Sequence, residues 1–264
     1  MLFRSNKRVA IHVVSLPLVW ESPLRTGNLR DPNGPQSTFA SESFIDEMAA
    51  LAKADPLDFR VGMIERSAED SGFRKARSLA VLKAAAEKYG WERRPAGGRR
   101  ATGDILAGRG VAYTYRNQTV VAQMVDVEVN RKTGRVWVKR IVCAHDCGLV
   151  INPEGLRYTI EGNVVQGISR TLFEEVRFDR NMVTSVDWNS YPILDIRDTP
   201  QTIEFALINR PEVAPSGAGE PTMRVVPAAI ANAFFDATGV RMRRVPMTPE
   251  RVKAALAKAA SAKA

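Results

Sequence analysis

The 264 residues contain only two cysteines, Cys143 and Cys147. That is too few for a disulfide framework or for an iron–sulfur cluster carried by this chain alone. The pair has no second set of ligands at zinc spacing, so no metal held by protein side chains is expected. No apolar run approaches the ~20 residues of a membrane-spanning helix. The opening Met1-Leu-Phe-Arg-Ser-Asn-Lys-Arg8 leads into an apolar stretch that His12 interrupts. No small-residue cleavage site follows, so no secretory leader is read, and cytoplasm and periplasm both stay open. A G-x-x-x-x-G-K-[ST] phosphate loop and a G-x-S-x-G elbow are both missing. Lys and Arg number 38 against 29 Asp and Glu, a net +9. Yet no zinc finger, RNP-type strand or basic-helix heptad accompanies that excess, and nucleic acid is not the expected partner.

What is present is the mixture of an ordinary globular protein, 45% hydrophobic and 25% charged. At about 150 residues per domain, one or two domains fit. The first forty residues hold a strand-like run at Val9–Val14 and then many prolines and glycines, the signature of a long irregular loop. Helical spacing begins at Ser41, where Phe44, Met48, Leu51 and Ala52 form an apolar stripe with Glu42, Asp46, Glu47 and Lys53 off it. Asp55-Pro56 ends that helix and caps a second. A third runs from about Arg74 to Tyr89 and stops at Gly90. A basic, flexible connector is expected over 92–100.

The period changes near Gly108. Val125, Val127 and Val129 alternate with Asp126 and Glu128 in a half-buried strand, answered across a turn by Arg135–Ala144. Leu156, Ile160, Val164, Ile168 and Leu172 make a helical stripe, with Gly162 and Gly167 allowing close packing. A second hairpin is expected over 176–186. Further on come a helix around Ile230–Ala237 closed by Gly239, a strand over Val240–Val245, and a short helix capped by Thr248-Pro249. The fold class is α+β, divided as 1–104, a loop and helical segment, and 105–264, an α+β subdomain.

Three constellations carry possible chemistry. In Pro215-Ser-Gly-Ala-Gly-Glu-Pro-Thr222, Gly217 and Gly219 let backbone approach a ligand or take positive φ. Pro221 should hold Glu220 extended and so fix where its carboxylate points. A rigid Glu in a glycine-lined turn suits a general base; taken locally, a plain strand-to-helix turn is the stronger reading. His145-Asp146-Cys147 invites a nucleophile, but neighbours on a strand face opposite ways, which favours buried structural cysteines. Gln166 beside Gly167 could offer its amide to a ligand, with a packing or surface role as the simpler alternative. The basic cluster Arg241, Arg243 and Arg244 reads as a solvated face or a subunit contact.

Taken together, four blocks in order resemble the molybdopterin-binding large subunit of the xanthine dehydrogenase/aldehyde oxidase family. They are Leu29-Arg-Asp-Pro-Asn-Gly-Pro-Gln36, Asp146-Cys-Gly-Leu-Val-Ile-Asn-Pro153, Ile160-Glu-Gly-Asn-Val-Val-Gln-Gly167 and Gly217-Ala-Gly-Glu-Pro221. The resemblance implies that Glu220 is the catalytic base, taking the proton of a metal-held hydroxyl while an electron-poor carbon is oxidised. It implies further that Arg30 sits beside the molybdenum pocket and that Gly34 to Gln36 shape its wall. Gln166 would bond the pterin, and Gly217 and Gly219 would line it. The cofactor would be a molybdenum–molybdopterin, as the cytosine or a related dinucleotide, with the metal ligated by the cofactor's own sulfur atoms. Iron–sulfur centres would lie only on a partner subunit that carries electrons away.

The family's glycine-rich motif and Q-G-Q-G-type loop are missing. The chain is therefore expected to be the C-terminal part of such a subunit, needing an N-terminal half as partner. Asp31-Pro32-Asn33 replaces the Gly-Phe-Gly of xanthine-oxidising members. With Tyr191-Pro-Ile-Leu194, that points to the bacterial isoquinoline, nicotinate or aldehyde branch and a small-molecule substrate. Other readings are a non-catalytic basic binding module and an inactive truncated fragment.

Overall fold

The computed structural model describes residues 24, 27–67, 74–97 and 103–262; the strand expected over Val9–Val14 lies outside them. The middle layer is a four-stranded sheet of order β1-β2-β3-β4. β1 (Ile105–Arg116), β2 (Thr119–Asn130) and β3 (Val136–Asp146) are antiparallel, and β4 (Thr202–Leu207) runs parallel to β3. On one face lie α4 (Pro153–Leu172), α5 (Pro221–Thr238) and α6 (Pro249–Ser261); on the other lie α2 (Pro56–Arg66) and α3 (Lys75–Tyr89). Side chains alternate along β2: Val121, Val125, Val127 and Val129 join the first core, while Val120, Ala122 and Met124 join the second. Half-burial therefore describes only the C-terminal part of this strand; before Asp126 both faces are covered.

Local chemistry sets the helix ends. The Asp55 carboxylate accepts from Leu57 N and Asp58 N, Asn152 Oδ1 accepts from Gly155 N, and Thr248 Oγ1 accepts from Arg251 N. Gly90 and Gly239 close α3 and α5 with φ of 76° and 70°, the left-handed geometry that glycine takes without strain. The stripe expected on α4 is buried throughout. Close packing at Gly167 is real, since a Cβ there would meet Val226 of α5, whereas Gly162 faces open space.

The contact that places α5 is made by two glycines of β1. A Cβ on Gly110 would overlap the Ala229 carbonyl and the Ala233 amide, and one on Gly108 would overlap the Ala233 carbonyl and Ala237. Only bare backbone lets the helix lie directly on the strand. Helix α1 (Gly34–Leu51) then packs beside α5, where Asn232 Nδ2 donates to the Glu42 carbonyl.

Several expectations are corrected. Helix α1 starts at Gly34 rather than Ser41, because Pro35 falls at the first helical turn, where it needs no donor. Its orientation is also reversed. Phe44, Met48 and Leu51 are exposed, whereas Glu42, Ile45, Asp46 and Ala49 are buried. The reason is Arg60, wholly buried on α2, which donates to Glu42 Oε2 (2.8 Å) and the Glu42 carbonyl (3.0 Å) and pairs with Asp46 at 3.5 Å. Arg241 pairs with Asp46 from the other side at 2.8 Å. Counter-charges from distant segments draw the acidic face inward.

The 240–245 stretch is irregular. Its arginines pair with two regions, Arg241 with Asp46 and Arg243 with Glu47 on α1, and Arg244 with Glu175 after α4. Arg241 is an intramolecular anchor, whereas Arg243 and Arg244 remain exposed while paired, as a solvated face would be. The hairpin expected over 176–186 is reduced to one bridge, Phe178 with Val183. The described part of the 92–100 connector is anchored, with Arg94 gripping Asp236 and Arg93 pairing with Asp58 at 2.9 Å. Strands β1 and β4 are additions. β1 and β2 are joined by a two-residue turn in which Asn117 takes φ 54°, the positive φ that such hairpins require. No described helix is long and apolar enough to cross a membrane.

Three substitutions test this packing. Gly110→Ala should lower stability by about 1–3 kcal/mol or more, read by denaturant unfolding. Arg60→Leu should cost ~3–5 kcal/mol by stranding buried carboxylates, whereas Phe44→Ala on the outer face should stay within ~0.5 kcal/mol.

Candidate active site

The site forms where the loop before α1 meets the N-terminus of α5, the side of α4 and the tip of the β1–β2 hairpin. The segment leading to α5 crosses the end of β3. Ser216 N donates to the Cys147 carbonyl (2.8 Å), Leu149 N donates to the Val213 carbonyl (2.9 Å), and Thr119 Oγ1 donates to the Gly217 carbonyl (2.8 Å). Glu220 is thereby delivered to the first position before α5. Its backbone is not extended as expected from Pro221; φ is −132° and ψ −31°, and its carbonyl accepts from Met223 N to begin the helix.

The carboxylate does not cap that helix. It turns to the loop instead, where Oε1 accepts from Asp31 N at 2.9 Å and Oε2 pairs with Arg116. Its side chain is about one-third exposed (32%), neither sealed in the core nor free in water. Arg30 Nε donates to the Gly219 carbonyl at 2.6 Å, and its Nη1 donates to Gln166 Oε1 at 3.0 Å. Arg170 Nη1 donates to the Arg30 carbonyl at 2.9 Å and so fastens the loop to α4. Three residues singled out from sequence, Arg30, Gln166 and Glu220, thus share one cluster although they lie far apart in the chain.

Beneath them sits Asp31, wholly buried, with φ 54°. Arg224 donates to both its oxygens, at 3.0 and 2.6 Å, and Arg116 approaches at 3.4 Å. Gly34 lies against this pair: a Cβ there would overlap the Asp31 carboxylate and the Arg224 guanidinium. Its contribution to the wall therefore runs through Asp31. Gly217 and Gly219 have nothing within 4 Å of where a Cβ would stand, and neither takes positive φ. They present bare backbone to open space. Gln36 is exposed on the first turn of α1 and makes no hydrogen bond to the cluster among the described residues.

Asp31, Arg116, Arg170 and Arg224 were missed from sequence. Asp31 stood inside a block noted for Arg30, Gly34 and Gln36, and was itself noted only as part of the Asp31-Pro32-Asn33 replacement. Arg116 precedes a hairpin turn, Asn117-Gln118, that lacks the glycine by which such turns are usually spotted.

The His145-Asp146-Cys147 run is structural. Asp146 is fully buried and receives Arg77 Nε (3.0 Å), Arg210 Nε (2.6 Å) and Gly148 N (3.1 Å). Burial opposes its charge, but these donors hold the carboxyl below the usual range. Burial pushes the Cys143 thiol up to about 12 and raises that of Cys147 as well, which disfavours a reactive thiolate in either. His145 is buried with neither ring nitrogen hydrogen-bonded. Burial brings it down to about 4, against a smaller upward pull from Asp146. Among the described residues, no three of His, Cys, Asp or Glu come together as metal ligands.

Residues 37–200 match the molybdopterin cofactor-binding domain family. A nicotinate dehydrogenase subunit from Pseudomonas putida is 40% identical over 261 residues, which is 95% of this chain and 21% of that protein. The beta subunit of isoquinoline 1-oxidoreductase from Brevundimonas diminuta is 33% identical over 214 residues, 81% of this chain and 26% of that protein. The chain thus spans about a fifth to a quarter of the length of these curated relatives. Among solved structures, the aldehyde oxidoreductase of Desulfovibrio gigas aligns with a TM-score of 0.68 at 18% identity, over 86% of this chain and 41% of that one. At that identity the likeness concerns the fold.

The buried histidine gives the chain a pH dependence of known sign. Unfolded, His145 takes up a proton as pH falls through about 6.5; folded, it resists until about 4. Stability should therefore be fully present above that upper value and fall between the two, by up to ~3 kcal/mol. Chemical unfolding of His145→Gln beside the parent from pH 7 to 4 should show a shallower decline in the variant.

Proposed function

The chain belongs to the molybdopterin cofactor-binding domain family, and from that premise we propose that it is the C-terminal part of the catalytic large subunit of a molybdenum hydroxylase. The reaction is the oxidative hydroxylation of a small substrate: a C–H bond becomes C–OH, the oxygen comes from water, and two electrons and two protons leave. The substrate class is an N-heteroaromatic ring or an aldehyde. The names of the relatives from Pseudomonas putida and Brevundimonas diminuta favour the ring.

The observation that carries this reading is the convergence of Glu220, Arg30 and Gln166, with Arg30 bonded both to the amide of Gln166 and to the carbonyl next to Glu220. The residues suit a large, polar, organic metal cofactor. Open space stands before Gly217 and Gly219. Gln166 is exposed, and its Nε2 has no hydrogen-bond partner among the described residues. Gln166 would hold the pterin through that nitrogen, Gly217 and Gly219 would let it approach the backbone, and Arg30 would stand at the molybdenum end, with Gly34 and Gln36 on the wall behind. A dinucleotide form, such as the cytosine dinucleotide, is the cofactor proposed.

When bound, the molybdenum group supplies an acidified hydroxyl and a two-electron acceptor. Glu220 receives the proton. Oε1 already accepts a hydrogen bond and Oε2 is ion-paired, but each keeps a further acceptor position, and the carboxylate is already oriented to use it. Electrons leave through a partner subunit that carries iron–sulfur centres.

The rest of the large subunit is the second partner, and the exposed apolar residues fit it. Phe44, Met48 and Leu51 line the outer face of α1. Val176, Phe178, Met182, Val186, Trp188, Ile193 and Ile196 are exposed within a single connecting segment. Large apolar side chains left exposed in these two segments suit an interaction surface. About four-fifths of the Pseudomonas putida relative lies outside the aligned length, which is ample to cover it.

Co-expression with the N-terminal part of a large subunit and an iron–sulfur subunit, followed by metal analysis and dye reduction with N-heterocycles and aldehydes, tests the proposal. Glu220→Gln should keep molybdenum bound and lose at least ~10²-fold in kcat. Turnover within threefold of the parent would remove the assigned role.

A further inference from the structure

We propose that Arg116 and Asp31 are positioning residues, Arg116 holding the Glu220 carboxylate ionised and the Asp31 backbone N–H holding it aimed, so that the tip of the β1–β2 hairpin takes part in the active site. The inference rests on the reading of Glu220 as the proton acceptor.

Arg116 is the last residue of β1, paired directly with Thr119 across the two-residue turn. Thr119 itself bonds the Gly217 carbonyl. The same hairpin tip therefore holds the backbone before Glu220 and its side chain. Arg116 is shared between two carboxylates, Glu220 on Oε2 and Asp31 at 3.4 Å. Asp31 has a second cation, Arg224, bound through two hydrogen bonds. Two carboxylates and two guanidiniums thus make a neutral quartet in which Arg116 is the only arginine reaching Glu220 among the described residues.

Asp31 acts twice. Its left-handed backbone, φ 54°, is uncommon outside glycine, and such strain persists where surroundings enforce it. Here Arg224 and the bare Gly34 do so, and the Asp31 N–H is presented to Glu220 Oε1 as a result. With one oxygen held by that N–H and the other by Arg116, rotating the carboxylate or swinging it into solvent would break both contacts. Removing Arg116 would leave Glu220 with no paired arginine among the described residues, Arg224 staying on Asp31 and Arg30 on the Gly219 carbonyl. Like charges then disfavour the ionised pair and raise the pH at which Glu220 works.

The experiment has two arms. In the 264-residue chain alone, the 13C signal of the Glu220 carboxyl, assigned by its loss in Glu220→Gln, is followed against pH. Arg116→Met should move its titration midpoint up by about one unit or more, and Arg116→Lys should move it much less. Asp31→Asn keeps the backbone N–H and removes a negative neighbour, so it should move the midpoint down. Opposite signs at two adjoining residues are not what a shared structural defect produces. In the parent, a through-hydrogen-bond coupling between the Arg116 guanidinium and the Glu220 carboxyl is expected, and this needs no variant to fold.

In the co-expressed complex, Arg116→Met should shift the acid limb of kcat in the same direction while KM changes less than threefold. An unmoved midpoint in Arg116→Met, or no coupling in the parent, overturns the inference. A complex that binds no molybdenum overturns the functional reading instead, and the carboxyl titration still decides this one.

Discussion

A carboxylate with no exposure to water must find its hydrogen bonds and counter-charges inside the protein. Asp31 finds them in Arg224 and Arg116, and this buried cluster is the constraint on which the site depends. It joins the loop before α1, the first turn of α5 and the end of β1. Because the partners are far apart in sequence, none of these segments settles its own conformation. Breaking the pairing would strand charges in the interior, which costs far more than the intact pairs contribute. The left-handed turn at Asp31 and the absence of a side chain at Gly34 follow from this one requirement.

The second constraint is steric. Helix α5 rests with its backbone on Gly108 and Gly110, so its N-terminus, and Glu220 with it, has one allowed height above the sheet. Gly167 brings α4 against α5 at Val226, which sets Gln166 beside the same end. The rigid scaffold and the polar cluster thus converge on one place. Arg30 reads both, with one nitrogen on Gln166 and another on the Gly219 carbonyl.

Much of this was legible locally. Asp55, Asn152 and Thr248 act through bonds to their own neighbours, and Gly90 and Gly239 through their own φ, so short stretches of sequence reveal them. The α4 stripe and the β2–β3 hairpin are equally local. Three things were not. The inward face of α1 looks polar until Arg60 and Arg241 arrive from elsewhere. Strand β1 is obscured by the glycines that α5 requires. The strand expected over Val240–Val245 is an irregular stretch whose arginines pair with residues of other segments. In the site, Glu220, Arg30 and Gln166 were named through a family resemblance and do come together. The residues that aim Glu220 were not named, because Arg116, Asp31 and Arg224 acquire meaning only by meeting in space.

The central claim is that a cofactor's reacting end lies against the Glu220 carboxylate while Asp31 and Arg116 hold it. The most direct measurement is a cryo-electron microscopy map of the chain assembled with the N-terminal part proposed for it and loaded with molybdopterin. The account requires the Glu220 carboxylate within ~2.6–3.2 Å of a proton-bearing atom at the molybdenum end, with Asp31 N and Arg116 still bonded to it. A map in which Glu220 faces bulk water, or in which another side chain occupies that position, would contradict it.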